Sequence, residues 1–294
     1  KEDLEAFGTL FDTWFSEQSL HDVGRVEECL AELTAKGVAD EEPFRTKIVR
    51  QKDPASGKMV ETIEKEDQPT DEDDADGAGR TLWLRSSLFK DDQDRVLRRK
   101  DGRLTYIASD LAYHNDKFNR PPKADKLITV LGPDHHGYIG RLRAVVAALL
   151  DEGQDHAAAY ETAKERLEVV IFQLVRFVKE GKPAPMRKRD GNIYAVIDLI
   201  KEIGEKVKPQ GTEQEKLQAG SDVARFFYLM RSHETTFDFD LDLAQKQSDD
   251  NPVFYVQYAH ARICSVLAKG ADAGLSPSAN PAPSSARWAM RGCS

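Results

Sequence analysis

An α/β fold with a parallel sheet is predicted by three features of one stretch, Thr105 to Arg143. Thr105 stands where a helix N-cap belongs and Pro121-Pro122 forbid continuation, so a helix spans about Tyr106 to Phe118. Lys126 to Leu131 is a short apolar run, partly β-branched, as a strand buried in a parallel sheet requires. Gly132-Pro133 breaks that run, and an amphipathic helix resumes from Tyr138 to Leu150, closed by Gly153. Asp134, His135 and His136 therefore lie at the carboxyl end of a strand, where open α/β sheets hold their ligands. On the first helix Tyr106, Asp110 and Tyr113 fall at i, i+4 and i+7, which puts two phenols and a carboxylate on one face.

Composition narrows the class. With 294 residues and 40% hydrophobic content the chain suffices for one large or two modest domains. Its mean hydropathy is −0.57, and no apolar stretch approaches the length of a membrane span. The opening KEDLEAFGTLFDTWF reads as an acidic amphipathic helix, without the basic start and apolar core of a signal peptide. Cys29, Cys264 and Cys293 are far apart and odd in number, giving neither a disulfide framework nor a metal-ligand pair. A soluble, cytoplasmic protein is the expectation. The net charge of −9 argues against a general nucleic-acid coat, while local patches leave room for a specific RNA partner. Two such clusters are Arg95, Arg98, Arg99, Lys100 and Arg103, and Arg187 to Arg189; by default both are solvated surface.

In chain order, residues 1–44 read as two helices, one carrying a Leu4, Phe7, Leu10, Phe11, Trp14, Phe15 core stripe, the other running from Val23 to Lys36 and ended by Gly37. Residues 45–79 form an insertion: an exposed β-ribbon around the Pro54–Gly57 turn, then a flexible acidic loop. From 80 to 245 regular structure returns. Trp83 sits in a core strand, and Asp101-Gly102 turns a hairpin. Asp94 and Arg95 read either as a buried ion pair or as groups near substrate. Residues 167–178 are one strand, 196–207 and 221–232 are helices, and the alternating 237–244 is a strand. Asp249-Asp250-Asn251-Pro252 starts a helix that should be largely buried, over 246–270. Residues 271–294, rich in Pro, Ser and Ala, read as a disordered tail.

Several stretches together carry a family resemblance: SDLAYH followed by VLGPDHHGYIGRL, DDQDRVLRRKDGRLTY, MRKRDGN, and DNPVFYVQYAHARI, in one order over roughly two-thirds of the chain. FDTWFSEQSL adds to them near the start. The pattern resembles arginyl-tRNA synthetase, a class I aminoacyl-tRNA synthetase. It covers the second half of the Rossmann-like catalytic domain and the start of an α-helical anticodon-binding domain. The resemblance implies an ATP-dependent ligase that activates arginine to arginyl-adenylate and transfers it to the 3′ end of tRNA(Arg). Its partners would be L-arginine, ATP and tRNA(Arg), with Mg2+ accompanying the ATP, no membrane, and a monomeric state.

Residue by residue, the resemblance places Tyr106 and Asp110 at the substrate arginine, with Tyr113 and Asp134 beside them. A guanidinium needs a carboxylate partner and flat aromatic walls, which this helix face supplies; an amphipathic helix with core tyrosines is the plainer reading. His135 falls to the adenosine pocket, while His136 is equally a packed histidine. The loop PMRKRDGN resembles the mobile lysine-rich K-M-S-K loop, aligning Met186, Lys188, Arg189 and Gly191. Lys188 and Arg189 would neutralise the pyrophosphate leaving group; Pro185 and Arg187 depart from the pattern. Gln257, His260 and Arg262 would touch tRNA, or else the helix is simply packed. No metal site is expected, because adjacent His135 and His136 point apart; a metal-dependent hydrolase is a distant alternative. The expected glycine-histidine turn for ATP does not precede Lys1, so the chain looks like the inside of a longer enzyme. The alternative function is a catalytically inactive remnant that binds arginine or RNA.

Overall fold

The computed structural model describes residues 1–53, 56, 58–67, 80–153, 155–184 and 195–275. The chain forms two compact units, Phe11–Leu174 with His233–Thr236, and Lys1–Leu10 with Val175–Ser232 and Phe237–Ser294. Each has its own hydrophobic core.

The chain begins with α1 (Glu2–Ala6), far shorter than the amphipathic stripe predicts. Gly8 at φ 78° turns the backbone out of the helix, so the predicted stripe is divided: Phe7 and Phe15 pack against the cores, while Leu10, Phe11 and Trp14 are left exposed. The helix predicted over Val23 to Lys36 is present as α3 (Arg25–Ala35), and a short extra helix, α2 (Gln18–Asp22), precedes it. Gly24 in the left-handed region separates the two. α3 buries Val26, Cys29, Leu30 and Leu33. After β1 (Ala39–Asp40), β2 (Phe44–Lys52) and β3 (Met59–Asp67) form the predicted antiparallel ribbon, in register from Phe44↔Asp67 to Lys52↔Met59. The acidic loop predicted over 64–79 begins later than expected, because 64–67 extend β3, and 68–79 lie outside the described residues.

β4 (Leu82–Leu84) is the central strand of a three-stranded antiparallel sheet, between β1 and β5 (Arg95–Arg98), and buries Trp83 as predicted. The Asp101-Gly102 hairpin closes with Gly102 at φ 84° and returns as a single bridge, Arg98↔Leu104, in place of a full strand. α4 (Tyr106–Asn119) matches the predicted helix. It buries Ile107, Ala108, Leu111, Ala112 and Phe118; each large apolar side chain there contributes about 1.5–3 kcal/mol. Thr105 holds the predicted N-cap position, but its side chain makes no capping bond. Its Oγ1 donates instead to the Val96 carbonyl at 2.6 Å, which ties the helix start to β5.

β6 (Leu127–Leu131) pairs in parallel with β7 (Leu167–Ile171), joined by α5 (Ile139–Leu150) and α6 (His156–Arg166). The expectation of a strand buried on both faces is corrected. Leu127 is buried, but Ile128 and Val130 point to an exposed face. The single run predicted over 167–178 is two strands: β8 (Val175–Lys179) belongs to the other unit. There β8 pairs in parallel with β10 (Phe237–Asp240) and antiparallel with β9 (Lys182–Pro183), around the Glu180-Gly181 turn. Both turn residues have positive φ, 52° and 70°, as a two-residue hairpin loop requires.

α7 (Val196–Val207) has its predicted bounds. α8 (Glu213–Leu229) begins two turns earlier than expected, because Thr212 accepts from the Glu215 amide while the Glu215 carboxylate accepts from the Thr212 amide. The predicted strand over 237–244 ends at Asp240, whose Oδ1 accepts from the Leu243 amide and starts α9 (Leu241–Gln245). Asn251 caps α10 (Pro252–Asp272) as predicted, through its Oδ1 and the Val253 amide. The predicted burial of α10 is corrected: Val253 alone among its described residues is buried, and Tyr255, Tyr258, Ile263, Val266 and Leu267 are exposed. α10 also runs two residues into the predicted tail, of which 276–294 lie outside the described residues.

A candidate substrate site on the unit built around α4

The site rests on α4 and on the turn between β6 and α5. Gly132-Pro133 ends β6, and residues Pro133–Tyr138 close into a 3-10 helix that runs directly into α5. Asp134, His135 and His136 sit on that turn with their side chains exposed. His135 meets the Tyr138 ring edge-on, with centroids 6.2 Å apart. Among the described residues no three His, Cys, Asp or Glu side chains converge as metal ligands would.

Tyr138 is the link between the turn and α4. Its hydroxyl donates to Oδ2 of Asp110. Burial raises the Asp110 carboxyl above its usual range, opposed in part by this hydrogen bond and by Lys117 and His135; Glu17 adds to the rise. The Tyr138 phenol is itself pushed well up, by burial and then by the adjacent carboxylate. The guanidinium of Arg141 lies 5.1 Å from the Tyr138 ring centroid, one turn on along α5.

Beside this pair a cavity of about 440 Å³ opens between β4, β5, the start of α4 and the start of α5. Its aromatic walls are Trp83, Tyr106 and Tyr138, and its cations are Arg45, Arg95, Arg99, Lys100 and Arg141. Tyr106 is 90% exposed over this mouth. Arg45 is paired with Glu66, and Arg95 with Asp91 at 2.8 Å. The basic cluster expected to be solvated surface is thus divided. Arg95, Arg99 and Lys100 line the cavity, whereas Arg98 pairs with Glu27 and Arg103 with Asp101. Asp94 and Arg95 are both in buried ion pairs but not with each other. Asp94 takes Arg85 at 2.9 Å, and Arg95 takes Asp91.

Of the predicted arginine-site residues, Tyr106 lines the cavity with Tyr138, and Asp110 is tied to it through the Tyr138 hydroxyl. Tyr113 is otherwise engaged. It stacks on Phe15 at 5.3 Å and carries Lys117 Nζ 4.0 Å from its ring centroid. His114, which sequence reasoning passed over, is a buried residue of α4, with Nδ1 2.7 Å from the Asp110 carbonyl. Tyr138 was also missed as a site residue; the i, i+3 spacing of Tyr138 and Arg141 in HHGYIGRLR was the available signal. Met186, Lys188, Arg189 and Gly191 lie outside the described residues. Gln257, His260 and Arg262 are exposed on α10, in the other unit, where Arg262 Nη1 reaches the Tyr258 hydroxyl at 3.4 Å.

Comparison with known proteins follows the same line. The arginine–tRNA ligase of Bacillus subtilis is 41% identical over 280 residues, 95% of this chain, and that of Gloeobacter violaceus is 40% identical over 278 residues, 92% of it. Over nearly all of its length the chain is similar to arginyl-tRNA synthetases. It spans about 39% of the Bacillus subtilis relative and 40% of the Gloeobacter one. A solved structure assigned as an arginyl-tRNA synthetase from Campylobacter jejuni superposes with a TM-score of 0.62 at 30% identity, over 94% of this chain and 45% of that one. The arginyl-tRNA synthetase of Thermus thermophilus, at 19% identity and a TM-score of 0.63 over 97% of this chain and 46% of that one, shares the fold. No protein-family model matches the chain. Among the described residues, no helix is long and apolar enough to cross a membrane.

Proposed function

We propose that this chain supplies the arginine-recognising part of an arginine–tRNA ligase. The reading rests on one observation: the half-buried Asp110 carboxylate is hydrogen-bonded to Tyr138, which lines an aromatic and cationic cavity, on a chain about 40% identical to such ligases. A guanidinium paired with Asp110 satisfies a carboxylate that burial disfavours, and the Tyr106 ring provides a flat wall. Asp134 and His135, exposed on the adjoining turn, face the α-amino end of arginine and the adenosine. The arginine carboxylate, ionised at neutral pH, attacks the α-phosphorus of ATP with no general base, and pyrophosphate leaves. The role of Lys188 and Arg189, with Met186 and Gly191 beside them, is to neutralise that leaving group. The tRNA 3′ hydroxyl then displaces AMP from arginyl-adenylate, while Gln257, His260 and Arg262 contact the tRNA body. Mg2+ belongs to this scheme as the ion carried in with ATP. The described residues offer it no cluster of ligands, and no step is assigned to it. The enzyme works as a cytoplasmic monomer in this reading.

Arginine-dependent ATP–pyrophosphate exchange by the full-length protein tests the proposal. Exchange that requires arginine, and that Asp110→Ala removes by raising the arginine KM, supports it. Arginine binding without exchange would turn the reading into that of a binding module.

A further inference from the structure

Asp110 meets its surroundings with one oxygen already engaged. Tyr138, at the last position of the 3-10 turn, donates to Oδ2 from 28 residues away, so the contact is set by how the turn packs against α4. The tyrosine is held from two sides, by Arg141 over its ring and His135 at its edge. A carboxylate offers about four acceptor positions, so one phenol leaves Oδ1 and part of Oδ2 for a second donor.

We infer that Tyr138 is a positioning residue for arginine recognition: its hydroxyl fixes the rotamer of the Asp110 carboxylate, keeps it ionised, and leaves Oδ1 to the substrate guanidinium. The inference rests on the reading of Asp110 as the arginine partner. Two physical effects carry it. A side chain restrained before binding loses less rotamer entropy on binding, so affinity rises with no added contact to the ligand. A hydrogen bond donated to the anion also favours ionisation, and an ionised carboxylate is what a guanidinium requires. The titratable groups facing Asp110 are Tyr138 and His135 from the turn, Glu17 from the segment before α2, and Lys117 from α4 itself. Glu17 and burial work against ionisation; Tyr138, Lys117 and His135 work for it. Removing the phenol hydroxyl tips that balance toward the protonated acid.

The experiment is calorimetric titration of L-arginine into the full-length protein between pH 4.5 and 8, for wild type, Tyr138→Phe and Asp110→Ala. Tyr138→Phe is expected to weaken arginine about fivefold at neutral pH, and to move the acid limb of the affinity profile up by about one pH unit. A purely structural tyrosine would change the melting temperature and leave that limb in place. Where Asp110→Ala loses arginine but Tyr138→Phe keeps both the wild-type affinity and the wild-type limb, the inference is overturned and the Asp110 reading stands. Where wild type itself takes up no arginine, both fall. Should Tyr138→Phe fail to fold, 3-fluorotyrosine at 138, a stronger donor to the carboxylate, is expected to lower the acid limb. An unmoved limb in that protein equally overturns the inference.

Discussion

Arg85 Nη1 donates to the Asp94 carboxylate at 2.9 Å, and the other edge of the same guanidinium takes Asp40. Asp94 is 2% exposed and also accepts from the Thr46 amide at 2.8 Å and the Ser87 hydroxyl at 2.6 Å. One carboxylate thus anchors β2, the 3-10 turn after β4, and the strand leading to the cavity. Removing a single partner leaves a buried charge without compensation. Asp94→Ala is expected to destabilise its unit by about 3–5 kcal/mol in urea unfolding, whereas the pair Arg85→Met with Asp94→Leu costs much less. Equal losses from the single and the double change would show that packing, not charge, holds this corner.

α7 and α8 approach until glycine is required at their crossing. A Cβ built on Gly204 would lie 2.0 Å from the Lys216 carbonyl oxygen, and one on Gly220 would lie 1.8 Å from that of Ile200. Glycine to alanine in a helix ordinarily gains about 1 kcal/mol of propensity. Here the obstacle is backbone, which cannot swing aside, and overpacking of about 1–3 kcal/mol or more prevails. Gly204→Ala and Gly220→Ala are each expected to lower thermal stability. A rise in melting temperature for either would refute the close approach.

Burial on the inner face of α4 holds the His114 imidazole at a pKa of about 4, with Lys117 adding to the depression and the Asp110 carbonyl opposing it. In the unfolded chain the same group titrates near 6.5. Below that value the unfolded state takes up the proton and the folded state does not, so stability falls from pH 6.5 toward pH 4 and levels off beneath it. The loss amounts to about 3 kcal/mol. Asp110, whose carboxyl is raised, has the opposite sign: its burial penalty is relieved as the acid is protonated. Unfolding free energies of wild type and His114→Phe against pH check this, the variant being expected to show the flatter acid slope.

Lys188→Ala is expected to slow arginyl-adenylate formation about a hundredfold, with little change in the arginine dissociation constant. Rapid-quench measurement of the adenylate beside equilibrium arginine binding separates the two. A matching loss in both would assign the loop a structural task instead.

The helix that carries Asp110 was legible because its signals are local: an apolar face at helical spacing, and a diproline that ends it. The β2–β3 ribbon and the start of α10 were legible for the same reason, each being punctuated by Pro, Gly or Asn. The stripe through Leu10, Phe11 and Trp14 misled because hydrophobic spacing states which residues share a face, not that the face is covered. The run over 167–178 misled because strand propensity does not record where a chain passes from one unit to another.

The sequence by itself determined the secondary-structure elements around the site, the family resemblance, and the carboxylate and phenol that share a face of α4. Those follow from periodicity and turn chemistry, which act over a few residues. Only the tertiary structure decided that Tyr138 closes on Asp110, that Arg95 turns to Asp91 while Asp94 takes Arg85, and that three cations of a seemingly solvated cluster line a cavity. Each depends on packing between elements far apart in the chain. The partner of a charged or phenolic side chain is chosen by what the fold brings within about 3 Å, and residue spacing along the sequence carries no record of that distance.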